Sequence, residues 1–402
     1  MRGRDPHENH RAATPLELLF DLTFVVAFGE AGNQLAHQLA EGHVRSGVIS
    51  FCFVTFGICW AWIQFSWFAS AYDTDDWAFR LLTMLTMCGV IVFALGLPEL
   101  FESIDEGQAV NNHVIVAGYV IMRVAMIGQW LRAMRADEAR RRCIKLYIVT
   151  LAVSQTIWVL LTSVETSVGQ FFALITIPLA VELLGPIIAE TRLGGTPWHA
   201  HHVAERYGLL VIITLGEGVI GTVAAMSALV HGSSGWSVDA ALVLAAGIGL
   251  TFGLWWTYFA IPFGSILHLR RTASHLFGYG HMLIFGGIAA TGSGLHVAAL
   301  YLDHHSELST LGTVLSVLIP VSIYSLSLYL MYGAVTRSAD PFHVLLIAGT
   351  IGVLALTVVL ASSGASLPVC LLVLALMPVV TIVGYETLGH RHMLDHLERL
   401  RS

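Results

Sequence analysis

The chain has 402 residues, of which 56% are hydrophobic and only 12% carry a charge. A soluble domain carries about twice that share of charged residues, so the composition excludes an ordinary soluble domain and predicts an integral membrane protein. The net charge of -7 comes largely from acidic loops, and nothing indicates a nucleic-acid partner. The five cysteines form no CxxC pair, so neither a disulfide framework nor a thiolate metal site is indicated.

Apolar segments long enough to cross a bilayer recur along the whole chain. A transmembrane helix needs roughly 20 such residues, and about twelve segments meet that length. These continuous runs favour helices over the ten-residue alternation of a β-barrel. The predicted spans cover residues 16–39, 47–70, 78–101, 110–133, 144–164, 168–190, 203–230, 237–264, 273–301, 308–336, 342–363 and 366–389.

The positive charges predict the orientation of these spans. Nearly all Lys and Arg residues fall in the even-numbered loops and the two termini, with the largest group between Arg132 and Lys145. Under the positive-inside rule, both termini are expected in the cytoplasm. The polar start MRGRDPHENHRAATP has no short apolar segment with a cleavage site, so we expect the first span to be retained.

The sequence also contains an internal repeat. LELLFDLTFVVAFGEAGNQLA resembles AERYGLLVIITLGEGVIGTV, an alignment that matches Glu17 with Glu205 and Glu30 with Glu217. The next spans repeat as FGICWAW and FGLWWTY, and the remaining spans agree in number and length. Each half is predicted to contain six spans. Because six is an even number, both halves begin on the same side and have the same orientation in the membrane.

We therefore predict an all-α polytopic membrane protein of about twelve transmembrane helices, arranged as two parallel six-helix repeats. The first repeat is placed at residues 1–191 and the second at residues 192–402.

Three segments carry a family resemblance that covers nearly the whole chain: TPLELLFDLTFVVAFGE, WAWIQFSWFASAYDTDD and HHVAERYGLLVIITLGEG. Together they resemble the bacterial low temperature requirement protein A (LtrA) family. The resemblance implies a multi-pass protein of the bacterial cytoplasmic membrane whose biochemical activity is not settled. The family's WWxYF segment usually continues to an acidic residue, whereas Phe259 is followed here by Ala260.

Carboxylates inside apolar spans are the first candidates for function. A buried charge in a membrane normally faces the bundle interior and has a partner or a task. Glu30 and Glu217 form the deepest repeated pair, and Glu182 lies alone in the sixth span. Arg123 is the only base deep in a span, and Glu182 or Glu30 would serve as its partner. The structural alternative is that these residues form ion pairs that fix the helix register.

Further polar residues lie on the first and seventh helices. On the first helix, Glu30, either Asn33 or Gln34, and His37 recur at a spacing that puts them on one face, which would suit a hydrated path. Glu17 and Asp21 form a second pair one turn apart nearer the cytoplasm. The seventh helix brings His202, Glu205 and Arg206 within one turn of each other.

Two loops on the predicted cytoplasmic side hold a further group of candidates, Asp73, Asp75, Asp76, His199 and His201. Carboxylates and imidazoles together can bind a divalent cation or a phosphate-bound cation, and histidine exchanges protons near neutral pH. The HxHH spacing matches no standard zinc pattern. The structural alternative is that Asp73 or Thr74 caps the third span.

Trp60 and Trp256 occupy equivalent positions in the two repeats, which would suit an aromatic wall of a site or packing at the repeat axis. Membrane proteins more often use tryptophan in interfacial belts.

Three functions remain open. The leading hypothesis is a proton- or cation-linked transporter or permeation protein, with a path between the two repeats lined by buried carboxylates. The second is a membrane enzyme acting on a lipid or isoprenoid substrate through the aspartate and histidine loops, although the sequence contains no complete catalytic signature. The third is a scaffold or sensor. The implied partners are the lipid bilayer and an unidentified small molecule or ion, and a homo-oligomer is compatible with the sequence.

Overall fold

The computed structural model describes residues 1–8, 11–107, 109–231, 236–337, 341–390, 392, 393 and 398. In these residues the regular structure is helical, and they contain no β-strand.

The helices of the first half follow one another through short loops. They are α1 (Pro15–Ala40), α2 (Val44–Tyr72), α3 (Trp77–Leu95), α4 (Leu97–Glu106), α5 (His113–Ala136), α6 (Arg141–Thr162), α7 (Val168–Leu174) and α8 (Thr176–Arg192).

The second half has the same character. Its helices are α9 (Ala200–Thr214), α10 (Gly216–His231), α11 (Val238–Phe259), α12 (Phe263–Leu269), α13 (Ser274–Leu302), α14 (Thr310–Thr336), α15 (Pro341–Ser362), α16 (Leu367–Leu374) and α17 (Leu376–Gly384). A short 3₁₀ turn precedes α13, and a π-helical turn follows α17.

Several of these helices continue one another across an interruption of one to three residues. Counted this way, the described residues contain eleven segments long and apolar enough to cross a membrane. The first helix, α1, has 26 residues and is not among the eleven. It carries three carboxylates, Glu17, Asp21 and Glu30. The prediction of an all-α polytopic membrane protein is confirmed.

The last membrane segment of each half is interrupted at the same place. The break falls at Ile175 between α7 and α8, and at Ala375 between α16 and α17. A proline lies three residues after each break, at Pro178 and Pro378. Proline has no N–H and its ring clashes with the carbonyl four residues earlier, which is the last residue of α7 or α16. The matching interruptions agree with a six-plus-six arrangement.

The chain forms two compact units whose boundaries differ from the predicted repeat boundary. The first unit comprises Met1–Ala31 and Phe53–Arg206, and the second comprises Gly32–Cys52 and Tyr207–Ser402. The division of the sequence at residue 191 stays a prediction.

Helix α2 is central to the first unit. Its aromatic side chains contact α1, α3 and α5, as in the stacked pair Phe20–Phe65, whose ring centroids are 3.8 Å apart. Helix α5 packs on α3 and α6, and α6 packs on α8. This arrangement places polar side chains of α2 among those of several other helices.

The second unit is a closed ring of membrane helices. On one side of the ring, α10 packs on α13, α13 packs on α14, and α14 packs on α15. On the other side, α15 packs on α16 and α17, and both of these pack on α11. Helix α11 packs on α10 and so closes the ring. The α10–α13 crossing is close because both helices have glycine there. A Cβ atom added to Gly221 would lie 2.7 Å from the carbonyl oxygen of Gly292.

Candidate functional site

The first unit contains a fully buried ionic group that we call the Arg206 cluster. Its members are Glu17, Asp21, Trp62, His202 and Arg206, all of which are inaccessible to solvent. Helical spacing explains part of this grouping. Glu17 and Asp21 are four residues apart on α1, as are His202 and Arg206 on α9, so each pair shares a helix face.

Arg206 is the centre of the cluster. Its Nη1 atom lies 2.8 Å from Oε1 of Glu17, and its Nε and Nη2 atoms both donate to Asp21. Trp62 donates from Nε1 to Oδ1 of Asp21 over 2.7 Å. The guanidinium also lies 5.6 Å from the centroid of the Trp62 ring, within the range of a cation–π contact.

The protonation of His202 follows from its partner. Its Nε2 atom lies 3.3 Å from Oε2 of Glu17. Because an ionised carboxylate only accepts hydrogen bonds, Nε2 must carry a hydrogen. Nδ1 is buried with no hydrogen-bond partner in the described part of the chain, and burial without a partner disfavours the charged form, so the imidazole is neutral. Two carboxylates then face one guanidinium and one neutral imidazole, a group with one excess negative charge.

The N-terminal segment covers this end of the first unit. Arg11 donates to the backbone carbonyl of Ser70 near the end of α2, and burial lowers the pKa of its guanidinium to about 10. His199 lies beside it, with Nε2 2.9 Å from the carbonyl oxygen of Glu8 and its backbone N–H 3.0 Å from the Ser70 hydroxyl. These bonds give His199 a structural role next to the Arg206 cluster.

A second buried polar group of the first unit surrounds Glu182, and we call it the Glu182 network. Its other members are Gln64, Tyr119, Arg123, Ser154 and Gln155. They come from α2, α5 and α6, while Glu182 lies on α8.

Glu182 accepts bonds at both oxygens. Ser154 and Gln155 donate to Oε1 over 2.7 and 3.0 Å, and Tyr119 donates to Oε2 over 2.8 Å. Arg123 lies 3.2 Å from Oε2. Of the two partners predicted for Arg123, the structure shows Glu182. Charge is balanced one to one, and the network links four helices, which is typical of a structural role.

The aspartates of the loop after α2 bind arginines. Asp75 forms a two-pronged pair with Arg80, with bonds of 2.7 and 2.8 Å. Asp76 binds Nη2 of Arg132 over 2.6 Å. The charge of each carboxylate is therefore already balanced by an arginine.

Asp76 also caps α3. The structural alternative given by the sequence placed this cap at Asp73 or Thr74. The Oδ1 atom of Asp76 accepts from the backbone N–H of Phe79 over 2.9 Å. Partial burial raises the pKa of Asp76, but the bonds from Phe79, Thr74 and Arg132 outweigh it and lower the pKa to about 2. Burial raises the pKa of the neighbouring Asp73 carboxyl, whose Oδ1 atom accepts from the backbone of Asp75.

The remaining candidates near the start of α9 are not members of the Arg206 cluster. Glu205 is exposed and accepts from the backbone N–H of Ala13 over 3.3 Å, and His201 is exposed with its ring 6.1 Å from that of His199. Within the described ranges, no three His, Cys, Asp or Glu side chains are placed to hold a metal ion. The divalent cation stays a prediction.

Glu217 has a different environment in the second unit. It lies in the first turn of α10, directly after the one-residue interruption at Leu215, near the middle of the span Ala200–His231. The side chain is half-buried. Among the described residues, no hydrogen bond or ion pair joins its carboxylate to another side chain. It is packed against α13, where a Cβ atom on Gly292 would lie 2.7 Å from the Cβ atom of Glu217.

The other repeated candidates are less alike than the sequence alignment predicts. Glu30 is half-buried on α1. Trp60 is buried and stacks on Phe56 with ring centroids 6.4 Å apart. Trp256 is 46% exposed and donates to Glu386 over 3.0 Å. The aromatic wall stays a prediction.

The second unit contains a neutral pair, His281 and Tyr258, whose pairing was not predicted from the sequence. His281 is fully buried, with Nδ1 2.7 Å from the carbonyl oxygen of Phe277 and Nε2 2.9 Å from the Tyr258 hydroxyl. Because the carbonyl accepts only, Nδ1 carries the hydrogen and Nε2 accepts from Tyr258. The sequence alignment of the predicted repeats matches Tyr258 with Trp62, and both side chains donate a hydrogen bond.

Comparisons with known proteins identify the family of this chain. The family described as bacterial low temperature requirement A protein (LtrA) matches residues 12–378. The chain is also similar to a protein named uncharacterized protein RA0937 from Rhizobium meliloti (strain 1021), with 29% identity over 295 residues, or 69% of this chain and 67% of that protein. No solved structure matches the chain. The family match covers most of the sequence, and the chain therefore belongs to the bacterial low temperature requirement A family.

Proposed function

We propose that this protein moves protons or cations across the membrane and that Glu217 is the residue that binds them. The observation that carries the proposal is the state of the Glu217 carboxylate, which lies in the middle of a membrane span without a hydrogen-bond or ion-pair partner in the described residues. A charged side chain at this depth costs several kcal/mol, about 2.5 or more. It is therefore expected to be neutralised by a bound proton or cation.

The helix next to Glu217 is distorted but not broken. Leu215 separates α9 from α10, yet its N–H donates to the carbonyl oxygen of Val211 over 2.9 Å and its own carbonyl oxygen accepts from the N–H of Gly218 over 3.0 Å. The proposal therefore depends on the Glu217 carboxylate and not on unpaired backbone groups.

The enzyme alternative has less support. It depends on Asp73, Asp75 and Asp76 as ligands of a metal or phosphate-bound cation, yet the carboxylates of Asp75 and Asp76 are bound to Arg80 and Arg132. A site built there would first have to break two ion pairs.

The test is proton and cation flux in liposomes containing the purified protein, recorded with a trapped pH-sensitive dye under imposed pH and cation gradients. We expect Glu217→Gln to abolish the flux, because glutamine keeps the size of the side chain but binds no proton. Glu30→Gln tests the repeat counterpart in the same assay.

Glu205→Gln is the matched control, since it makes the same change on an exposed side chain near the start of α9. It is expected to transport like the wild type. Flux that persists unchanged in Glu217→Gln, or no flux in the wild type under any gradient, would contradict the proposal.

A further inference from the structure

We propose that His37 and His296 carry protons between Glu217 and the outer face of the membrane, which makes the proton the transported or coupling ion. The inference rests on the proposed function of Glu217 and identifies its ion. Both histidines belong to the second unit.

The packing of α10 on α13 places His296 beyond Glu217. Glu217 lies against Gly292. One turn later on α10, Gly221 lies against both Gly292 and His296. A Cβ atom added to Gly221 would lie 3.3 Å from the backbone nitrogen of His296. The two helices therefore run in the same direction at this crossing. His296 follows Gly292 by four residues, which corresponds to about 6 Å along α13.

The end of α1 brings the second imidazole to the same place. An added Cβ atom on Gly32 would lie 2.9 Å from the Ser293 hydroxyl, so α1 contacts α13 one residue after Gly292. Farther along, the rings of His37 and His296 meet edge to face with centroids 5.9 Å apart. His296 is half-buried and His37 is exposed. His37 lies three residues before the end of α1, which the charge distribution predicts to be the outer end.

Imidazole suits this position because it changes its charge near neutral pH. A proton from the outer solution adds to one ring nitrogen of His37, and the resulting imidazolium releases a proton from its other nitrogen to His296. His296 passes a proton in the same way toward the Glu217 carboxylate. One proton enters and one proton leaves at each step, and no bond between heavy atoms changes.

The charged groups around the pair favour proton entry. The loop after α13 docks on the end of α1, with the backbone N–H of Glu307 donating to the carbonyl oxygen of Ala40 over 2.7 Å. This brings the exposed acids Glu41, Asp303 and Glu307 to the outer rim. Helix α10 contributes Glu217, and α14, which packs on the opposite side of α13, has no charged residue. The start of α2, which packs on the end of α1 through Gly47 and Gln38, adds the exposed base Arg45, so the three acids still exceed the base. Carboxylates at a rim raise the local concentration of protons.

Zinc ions provide a direct probe, because Zn²⁺ binds neutral imidazole nitrogens and would hold both rings. The experiment measures proton flux into liposomes containing the full chain, with and without Zn²⁺ on both faces of the membrane. The variants are His37→Gln, His296→Gln and the control His305→Gln, which removes an exposed outer histidine paired with Asp303. Isothermal titration of the detergent-solubilised protein with Zn²⁺ gives a second readout that does not need transport.

We expect Zn²⁺ to block the wild type and His305→Gln. Both His37→Gln and His296→Gln should lose the zinc block and the corresponding binding heat, and their flux should be lower than that of the wild type in the absence of zinc. Flux that depends on Glu217 but is unaffected by zinc and by both substitutions would overturn this inference alone. Absence of flux that depends on Glu217 would overturn the proposed function and this inference together.

Discussion

The two units differ in how they treat charge inside the membrane. In the described residues, every fully buried aspartate, glutamate and arginine belongs to the first unit. In that unit Arg206 forms ion pairs with Glu17 and Asp21, and Arg123 forms an ion pair with Glu182. The second unit instead has the neutral pair His281–Tyr258 and the Glu217 carboxylate without an ion-pair partner.

This difference separates a structural use of charge from a functional one. A buried ion pair with its hydrogen bonds satisfied holds helices in one arrangement, whereas removing one partner leaves an uncompensated charge. A carboxylate without a partner can change its protonation or bind a cation at little structural cost. The first unit therefore suits a scaffold and the second suits ion movement, and substitutions at four sites, with their controls, test this contrast.

The largest effect is expected in the Glu182 network. Arg123→Met leaves Glu182 with hydrogen-bond donors but no positive charge, and should lower the free energy of unfolding by about 3–5 kcal/mol. Thermal unfolding of the purified protein in detergent, followed by size-exclusion chromatography after heating, measures the change.

The double variant Arg123→Met/Glu182→Gln is the control for this prediction. It removes both charges together and should recover much of the lost stability, because no unpaired charge then remains in the network. If Arg123→Met alone is as stable as the wild type, the pair does not stabilise the first unit.

A smaller loss is expected in the Arg206 cluster from Trp62→Phe. This change deletes the Nε1–H bond to Asp21 and keeps most of the aromatic packing. A hydrogen bond to a charged group contributes about 1.5–3 kcal/mol, and a comparable decrease in stability should appear in the same unfolding assay. Trp77→Phe makes the same change at a 76% exposed tryptophan and should be neutral. Equal melting temperatures for the two variants would refute the role of the indole bond.

Much of this fold could be predicted from the sequence, because apolar length and charge asymmetry are properties of continuous segments. Spacing along one helix was also informative. It placed Glu17 with Asp21 and His202 with Arg206 on shared faces, and it identified Arg123 as a base that needs an acid.

The contacts between helices were harder to predict, because they depend on packing that no local pattern encodes. Trp62 gave no signal that its N–H would meet Asp21, and Tyr119 gave none that it would share Glu182 with Arg123. The distortion of the helix at Leu215, beside Glu217, was not predicted either. The glycines that flank Glu217 gave no signal, because glycines also occur within uninterrupted membrane helices such as α13.

Asp76 offers a pH-dependent prediction for the loop that follows α2. Asp76→Ala removes the cap of α3 and should cost about 1 kcal/mol, whereas Asp76→Asn keeps a capping oxygen and loses the ion pair with Arg132. The pKa of Asp76 is lowered to about 2 in the folded protein. Its carboxylate therefore stabilises the fold above the ordinary pKa of about 4, and this contribution is lost as the pH falls toward 2.

Melting temperatures measured between about pH 6 and pH 3 check this sign. The advantage of the wild type over Asp76→Asn should shrink as the solution becomes more acidic. An advantage that grows on acidification would show that the carboxylate is not the stabilising form.

The smallest effect on stability is expected at Glu217. Glu217→Gln replaces a neutralised carboxyl group, which has no ion-pair partner in the described residues, by a neutral amide of the same size, so the free energy of unfolding should change by no more than about 0.5 kcal/mol. Glu182→Gln makes the same chemical change in the first unit and should be clearly destabilising, because it leaves Arg123 buried without its counter-charge. If the two glutamine variants lose the same stability, Glu217 has a structural partner and the contrast between the units fails. If Glu217→Gln is stable but loses flux, the carboxylate is retained for ion movement, since the fold does not require it.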